Sequence, residues 1–247
     1  MHIRHYLDTT YLKLPEQAGL SIADHEKVVK ACIQEAIEEG FKLVMIRPDK
    51  VAMARTMIDD AKSSVLVGTV IGFPEGTDDL EAKLQEAQQA IDDGADELDF
   101  VCNYRAFQSG DVALVRKEIV AGTQLAWSHH KTVKWIIEVA ALSDTEIIQL
   151  SACIKNTIIA HFKEEVFAHV FVKSSTGFYE TKDGKPNGAT RASILMMLEN
   201  CAPLPVKAAG GVRTYEEAVE MIKLGVKRIG TSAAKTIAHG GTSEAGY

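Results

Sequence analysis

A helix–glycine–strand unit recurs along this 247-residue chain, and it constrains the fold more than any other feature. Ala36-Ile-Glu-Glu-Gly40 leads into Phe41–Ile46, Ala90-Ile-Asp-Asp-Gly94 into Ala95–Val101, and Met221-Ile-Lys-Leu-Gly225 into Val226–Thr231. Each glycine stands where a helix ends in a left-handed residue, a conformation that costs glycine nothing. The helices before them carry apolar faces: Val28, Val29, Cys32, Ile33, Ala36 and Ile37 in one, Leu80, Leu84, Ala87 and Ile91 in another. Asp24 is the expected N-cap of the first, and Ser143–Glu146 and Thr214–Glu217 have the form of capping boxes.

Further strands are expected at Val65–Ile71, Val133–Val139, His169–Ser174 and Leu204–Ala208. A short one near Tyr6–Asp8 brings the number to eight. Strands alternating with helices and no linker-like break predict an α/β fold, a single (β/α)8 TIM barrel over residues 1–238. The glycine-rich segment 239–247 reads as a flexible tail ending in Tyr247. A doubly wound open sheet is the alternative, but no G-x-G-x-x-G follows the first strand.

Composition excludes several classes. With 46% hydrophobic residues the chain can build a substantial core. A formal charge of −7 without a long basic stripe argues against nucleic-acid binding. No apolar run has signal-peptide length or approaches the roughly 18 residues of a membrane span. Cys32, Cys102, Cys153 and Cys201 form no C-x-x-C pair and read as reduced thiols of a cytoplasmic protein.

In a barrel strand alternate side chains point inward. If Leu98, Phe100 and Cys102 face the helices, then Glu97, Asp99, Val101 and Asn103 face the interior. The same rule sends Val133, Trp135 and Ile137 outward and Lys134, Ile136 and Glu138 inward. It turns His169, Phe171 and Lys173 inward, with Lys207. An ammonium among strand residues is costly to bury as a charge, so it loses its proton or finds a partner. A lysine with a depressed pKa is an amine nucleophile that attacks carbonyls to form a Schiff base. A second lysine nearby favours the neutral form, and a carboxylate such as Asp99 between them is suited to hold a water and relay protons. Glu138 is expected as a structural ion-pair partner.

Both lysine runs then turn into small, glycine-containing sequence. Gly210-Gly211-Val212 ends one strand ahead of a helix capped by Thr214, where backbone N–H groups can receive an anion. Thr176-Gly177 and the turn Gly230–Ala233, with Ser232, stand at two further strand ends, so the three follow the sixth, seventh and eighth strands. The eight histidines show no metal-ligand spacing, which argues against a zinc-dependent mechanism. Asp96, Glu97 and Asp99 are a poor Mg²⁺ set, because alternation puts Asp96 opposite Asp99.

At these residues the sequence resembles the deoxyribose-phosphate aldolases, class I enzymes on a (β/α)8 barrel. The matching pieces run nearly end to end: Leu7–Leu12, Gly72-Phe-Pro-Glu-Gly76, Gly94–Asp99, Ile136-Ile-Glu138, Val172–Phe178, Lys207–Arg213 and the terminal Tyr247. The resemblance implies Lys173 as the Schiff-base lysine, Lys207 as the second lysine and Asp99 as the proton relay. It puts substrate phosphate on Gly177, Gly210, Gly211, Gly230 and Ser232, makes Tyr247 a C-terminal residue that folds over the site, and implies a homodimer. Four features depart from the family pattern: Ala233 for a common serine, Met45 for a frequent cysteine, Ser174 for the usual threonine, and a longer loop at Tyr179–Pro186.

The expected activity is reversible cleavage of 2-deoxy-D-ribose 5-phosphate to D-glyceraldehyde 3-phosphate and acetaldehyde, in deoxyribose catabolism. The lysine is its own electron sink, so no metal or organic cofactor is expected. Two alternatives are another Schiff-base sugar-phosphate aldolase with a different donor, and a non-catalytic sugar-phosphate-binding barrel.

Overall fold

The computed structural model describes residues 2–182 and 184–241. Eight parallel strands close into a barrel in sequence order: β1 (Leu7–Thr10), β2 (Leu43–Ile46), β3 (Leu66–Ile71), β4 (Glu97–Val101), β5 (Thr132–Ile136), β6 (Val170–Lys173), β7 (Val206–Ala209) and β8 (Arg228–Thr231). Closure leaves no open sheet edge, so the fold is the expected (β/α)8 barrel.

Alternation divides the strand residues between two cores. Outward residues such as Leu98, Phe100, Val133, Trp135, Val170, Val172, Val206, Ala208 and Ile229 join the main cluster beneath the helices. There Trp135 packs on Phe100 at 4.9 Å and donates to Thr123 Oγ1 at 3.1 Å. Gly122 makes this possible, since a Cβ there would sit 2.9 Å from the indole. Inside the barrel, Leu43 and Met45 of β2 and Val70 of β3 form a second, smaller apolar cluster with Leu12, flanked by Phe73 and Phe178. The interior is therefore apolar on one side and, as the site shows, ionic on the other.

The three expected glycine stops are all present, with φ of 62° at Gly40, 100° at Gly94 and 117° at Gly225. Both capping boxes form. The helix Ile22–Glu39 begins earlier than expected: Ser21 is its N-cap and accepts from the Asp24 N–H, while Asp24 lies inside the first turn. His169 also differs. It precedes β6, is exposed and packs at a tilt against Trp127, centroids 5.5 Å apart, because β6 begins only at Val170. β5 stops at Ile136, short of the expected Val139, and Glu138 takes a left-handed φ of 56°.

The loop after β3 is held from behind. Lys83, buried in the helix Leu80–Asp92, donates to Gly76 O at 2.7 Å and pairs with buried Glu118 at 3.0 Å. Glu86 of the same helix accepts from the Gly72 N–H at 2.7 Å. These contacts fix both ends of Gly72–Gly76 and bring Phe73 edge-on to Phe178, centroids 5.1 Å apart, at the barrel mouth. Among the described residues, no helix is long and apolar enough to cross a membrane.

Candidate active site

Charged residues on six strands converge in the barrel. Asp99 lies at the centre, fully buried: its Oδ1 is 2.7 Å from Lys134 Nζ, and its Oδ2 is 2.8 Å from Lys173 Nζ and 3.0 Å from Lys207 Nζ. Register explains the meeting, since Asp99 pairs with Lys134, and Lys173 with Lys207, as direct neighbours on adjacent strands. Lys207 also reaches Asp8 Oδ2 at 2.7 Å. Arg228 closes the circuit by donating to Asp8 Oδ1 at 2.7 Å and Glu97 Oε1 at 2.9 Å, while Lys134 pairs with Glu97. Gly230 allows this packing, because a Cβ there would meet the Lys207 side chain at 3.1 Å.

The network holds four cations, Lys134, Lys173, Lys207 and Arg228, against three anions, Asp8, Glu97 and Asp99. Burying ions costs several kcal/mol each unless paired. The charges balance when one cation gives up its proton. Lys173 is the one whose ammonium is disfavoured: burial, reinforced by Lys207 and Lys134, brings its pKa down to about 8 despite the pull of Asp99. Lys134 shifts up, since Asp99 and Glu97 outweigh its burial. Burial alone would raise Asp99, but Lys134, Lys173 and Lys207 hold it well below the carboxylate range. The arrangement presents one amine able to add to a carbonyl, with the Asp99 carboxylate between it and Lys207.

Sequence alternation identified Lys173, Lys207, Asp99, Lys134 and Glu97 as inward, but Asp8 and Arg228 went unassigned. The signal was available: Ile229 packs with the helices, which turns its neighbour Arg228 inward. Glu138 is buried as expected, but it has no ion-pair partner among the described residues. Its carboxyl instead meets the Ser175 hydroxyl at 2.6 Å and the Thr176 hydroxyl and N–H.

At the mouth, Gly177, Gly210 and Gly211 have φ of 81°, 75° and 82°, conformations natural only to glycine. The N–H groups of Gly177, Gly211, Val212 and Ser232 have no protein acceptor among the described residues. Thr231 Oγ1 donates to Val212 O at 2.8 Å, which holds the turn carrying Ser232 beside the two glycines. Thr176 does not join this set, because its hydroxyl and N–H are both committed to Glu138. Gly230 lies deeper, against Lys207. An open cleft of about 520 Å³, lined in part by Lys13, Gly177, Phe178 and Asn187, adjoins the cradle. A larger groove of about 800 Å³ lies on the outer face of the helix Val112–Ser128 and contains no residue of this site. Tyr247 lies outside the described residues.

The profile of the DeoC/LacD family aldolases matches residues 15–240. The chain belongs to that family. It is 39% identical over 241 residues to a deoxyribose-phosphate aldolase of Thermococcus gammatolerans, covering 97% of this chain and 96% of the relative. It is 36% identical over 248 residues to one from Streptococcus pneumoniae serotype 19F, covering both chains completely. Among solved structures, the aldolase QR15 superimposes with a TM-score of 0.79 at 31% identity, covering 97% of this chain and 95% of that one. The deoxyribose phosphate aldolase of Aeropyrum pernix, described as a tetramer, gives a TM-score of 0.76 at 28% identity, covering 96% and 89%. The protein is an aldolase, a carbon–carbon lyase on a TIM barrel.

Proposed function

We propose that this aldolase reversibly cleaves 2-deoxy-D-ribose 5-phosphate to D-glyceraldehyde 3-phosphate and acetaldehyde through a Schiff base on Lys173. The observation that carries the reading is the balance of the buried network, which is neutral when Lys173 is the free amine. Neutral Lys173 adds to the C1 aldehyde, and loss of water from the carbinolamine leaves an iminium. The iminium draws electrons as the C3 hydroxyl loses its proton, so C2–C3 breaks and glyceraldehyde 3-phosphate departs. The enamine is protonated at C2, and hydrolysis releases acetaldehyde and regenerates the amine.

Asp99 is held too acidic to store a proton for long. Its Oδ2 touches both Lys173 and Lys207, so it serves as a relay between Lys173, a bound water and Lys207. Tyr247 is the candidate carrier for the enamine proton. The free N–H groups of Gly177, Gly211, Val212 and Ser232 suit a substrate phosphate. The apolar half of the interior, where Met45 removes a thiol, suits the methyl end of acetaldehyde. The relatives named deoxyribose-phosphate aldolase, matched over nearly their full length, support this substrate; a place in deoxyribose catabolism is part of the same proposal.

Incubation with 2-deoxy-D-ribose 5-phosphate should release acetaldehyde, followed by coupled reduction. Its kcat/KM should rise as pH climbs through about 8, because deprotonation of Lys173 creates the nucleophile. A donor preference for dihydroxyacetone over acetaldehyde in the synthetic direction would instead indicate a different aldolase.

Gly188 offers a test of the cradle. It lies against Gly210, and a Cβ there would come within 2.4 Å of the Gly210 carbonyl group. Gly188→Ala should therefore raise KM for the phosphorylated substrate about tenfold or more, a shift worth roughly 1.4 kcal/mol. The KM for unphosphorylated 2-deoxyribose should change far less; equal losses for both would place the phosphate elsewhere.

A further inference from the structure

The Glu138 carboxyl has more close oxygen neighbours than hydrogens to fill the gaps between them. Ser175 Oγ lies 2.6 Å from Glu138 Oε1 and 2.8 Å from the Asn187 carbonyl oxygen. A serine hydroxyl has one hydrogen, and a carbonyl has none to give. If Glu138 were a carboxylate, one of these two close oxygen pairs would face each other with no proton between them. The other carboxyl oxygen is already an acceptor twice over, from the Thr176 N–H at 3.1 Å and the Thr176 hydroxyl, which itself accepts from the Phe178 N–H at 3.0 Å. The extra proton therefore belongs on Oε1.

We propose that Glu138 is a neutral carboxylic acid that donates to Ser175, so that Ser175 donates to Asn187 O and locks the loop after β6 against the glycine cradle. The mechanical path is short. Asn187 also donates from Nδ2 to Gly177 O at 3.2 Å. The next residues, Gly188 and Ala189, lie on β7's end: Gly188 packs on Gly210, and the Ala189 N–H donates to Ala209 O at 3.1 Å and Gly210 O at 2.9 Å. Glu138 thus acts through Ser175 and Asn187 on the two glycines, as a positioning residue.

Electrostatics agree with the counting. Burial raises Glu138 above the ordinary carboxylate range, against the hydrogen bonds of Ser175 and Thr176 and the charge of Lys173. The titratable groups that face it are Lys173 of β6 and Tyr104, at the start of the helix after β4. A neutral Glu138 also leaves the four-to-three charge count of the barrel undisturbed, whereas a carboxylate would draw a proton onto Lys173. As pH rises and Glu138 ionises, Ser175 must turn its hydrogen to the carboxylate and release Asn187. The lock is present at low pH and lost as pH rises.

The effect on phosphate binding rests on the functional reading above, but the lock itself can be measured without substrate. Glu138→Gln should mimic the acid, since the amide donates to Ser175 through Nε2 and accepts from Thr176 through Oε1. Difference infrared spectra at neutral pH should show the carbonyl stretch of a neutral carboxylic acid in the wild type and not in E138Q. Hydrogen exchange of the Ala189 amide should match in the two proteins where the acid is neutral. At higher pH it should become about fivefold faster in the wild type alone, the ratio one lost hydrogen bond carries; the comparison cancels the intrinsic pH dependence of exchange. Absence of the infrared band, or a wild-type to E138Q exchange ratio that does not change with pH, would overturn the proposal. Failure to cleave deoxyribose 5-phosphate would instead overturn the functional reading and leave both measurements intact.

Discussion

Lys173→Met should reduce turnover by about 10⁴-fold or more, a loss of roughly 5.4 kcal/mol of transition-state stabilisation. Among the described residues, no other amine is placed to substitute for it. Lys134 is enclosed between Glu97 and Asp99, and Lys207 between Asp8 and Asp99. The same change should leave the fold at least as stable as the wild type near neutral pH. The folded-state pKa of Lys173 is lowered from 10.5 to about 8, so the unfolded chain binds its proton more tightly than the native state does. Lys173 therefore weakens the native state as pH falls from 10.5 toward 8, and below that range the full penalty applies. An apolar side chain of similar length removes the penalty, an instance of stability given up for activity. Steady-state assays and thermal melts on one preparation check both halves. Lost activity with a collapsed melting temperature would mean that the lysine is structural.

Arg228→Met should have the largest effect on stability. Arg228 bridges Asp8 and Glu97, all three buried, and its loss leaves three carboxylates facing Lys134, Lys173 and Lys207. Breaking a buried pair by removing one partner costs about 3–5 kcal/mol. For a chain of this size that lowers Tm by on the order of 10 °C. Activity should fall as well, for a different reason. With the guanidinium gone, the count becomes three cations to three anions with every lysine charged, so Lys173 is no longer the site of least cost for deprotonation. The kcat/KM–pH profile should then shift to higher pH, which simple unfolding would not produce. Arg228→Lys should recover part of the stability, because an ammonium can serve one carboxylate but lacks the fork that spans two. A melting temperature unchanged in Arg228→Met would show that the circuit contributes nothing to the fold.

Acid should act on the same network from the other side. Glu97 and Asp99 are held below their ordinary range, so their contribution is present above the unfolded carboxylate pKa and is lost as pH falls through the native values.

The barrel and the centre of the site were legible in the sequence because both depend on short-range periodicity. Apolar residues at every second position fix which strand side chains face the helices, so Asp99, Lys134, Lys173 and Lys207 could be turned inward from local pattern alone. Partnership was not legible. Asp8 and Arg228 are separated by 220 residues and meet only because β8 closes on β1, a register that no local window contains. The partners of Glu138 were hidden for the opposite reason: β5 ends at Ile136, so strand alternation no longer governs position 138. Its left-handed backbone departs from strand geometry and delivers the carboxyl to Ser175 and Thr176 instead of to a cation. Thr176 belongs with it, since a motif placed its donors at the anion site and the fold spends them on Glu138. The cap at Ser21 shows the same limit on a small scale, because Ser21 and Asp24 are both good capping residues, and only the backbone turn decides between them.

Borohydride reduction in the presence of 2-deoxy-D-ribose 5-phosphate, followed by peptide mapping, tests the central claim most directly. The account predicts a stable two-carbon or sugar-phosphate adduct on the peptide containing Lys173, with loss of activity in step with labelling and no adduct in Lys173→Met. An active enzyme that emerges unlabelled at Lys173, or labelled instead at Lys207 or Lys134, would contradict it.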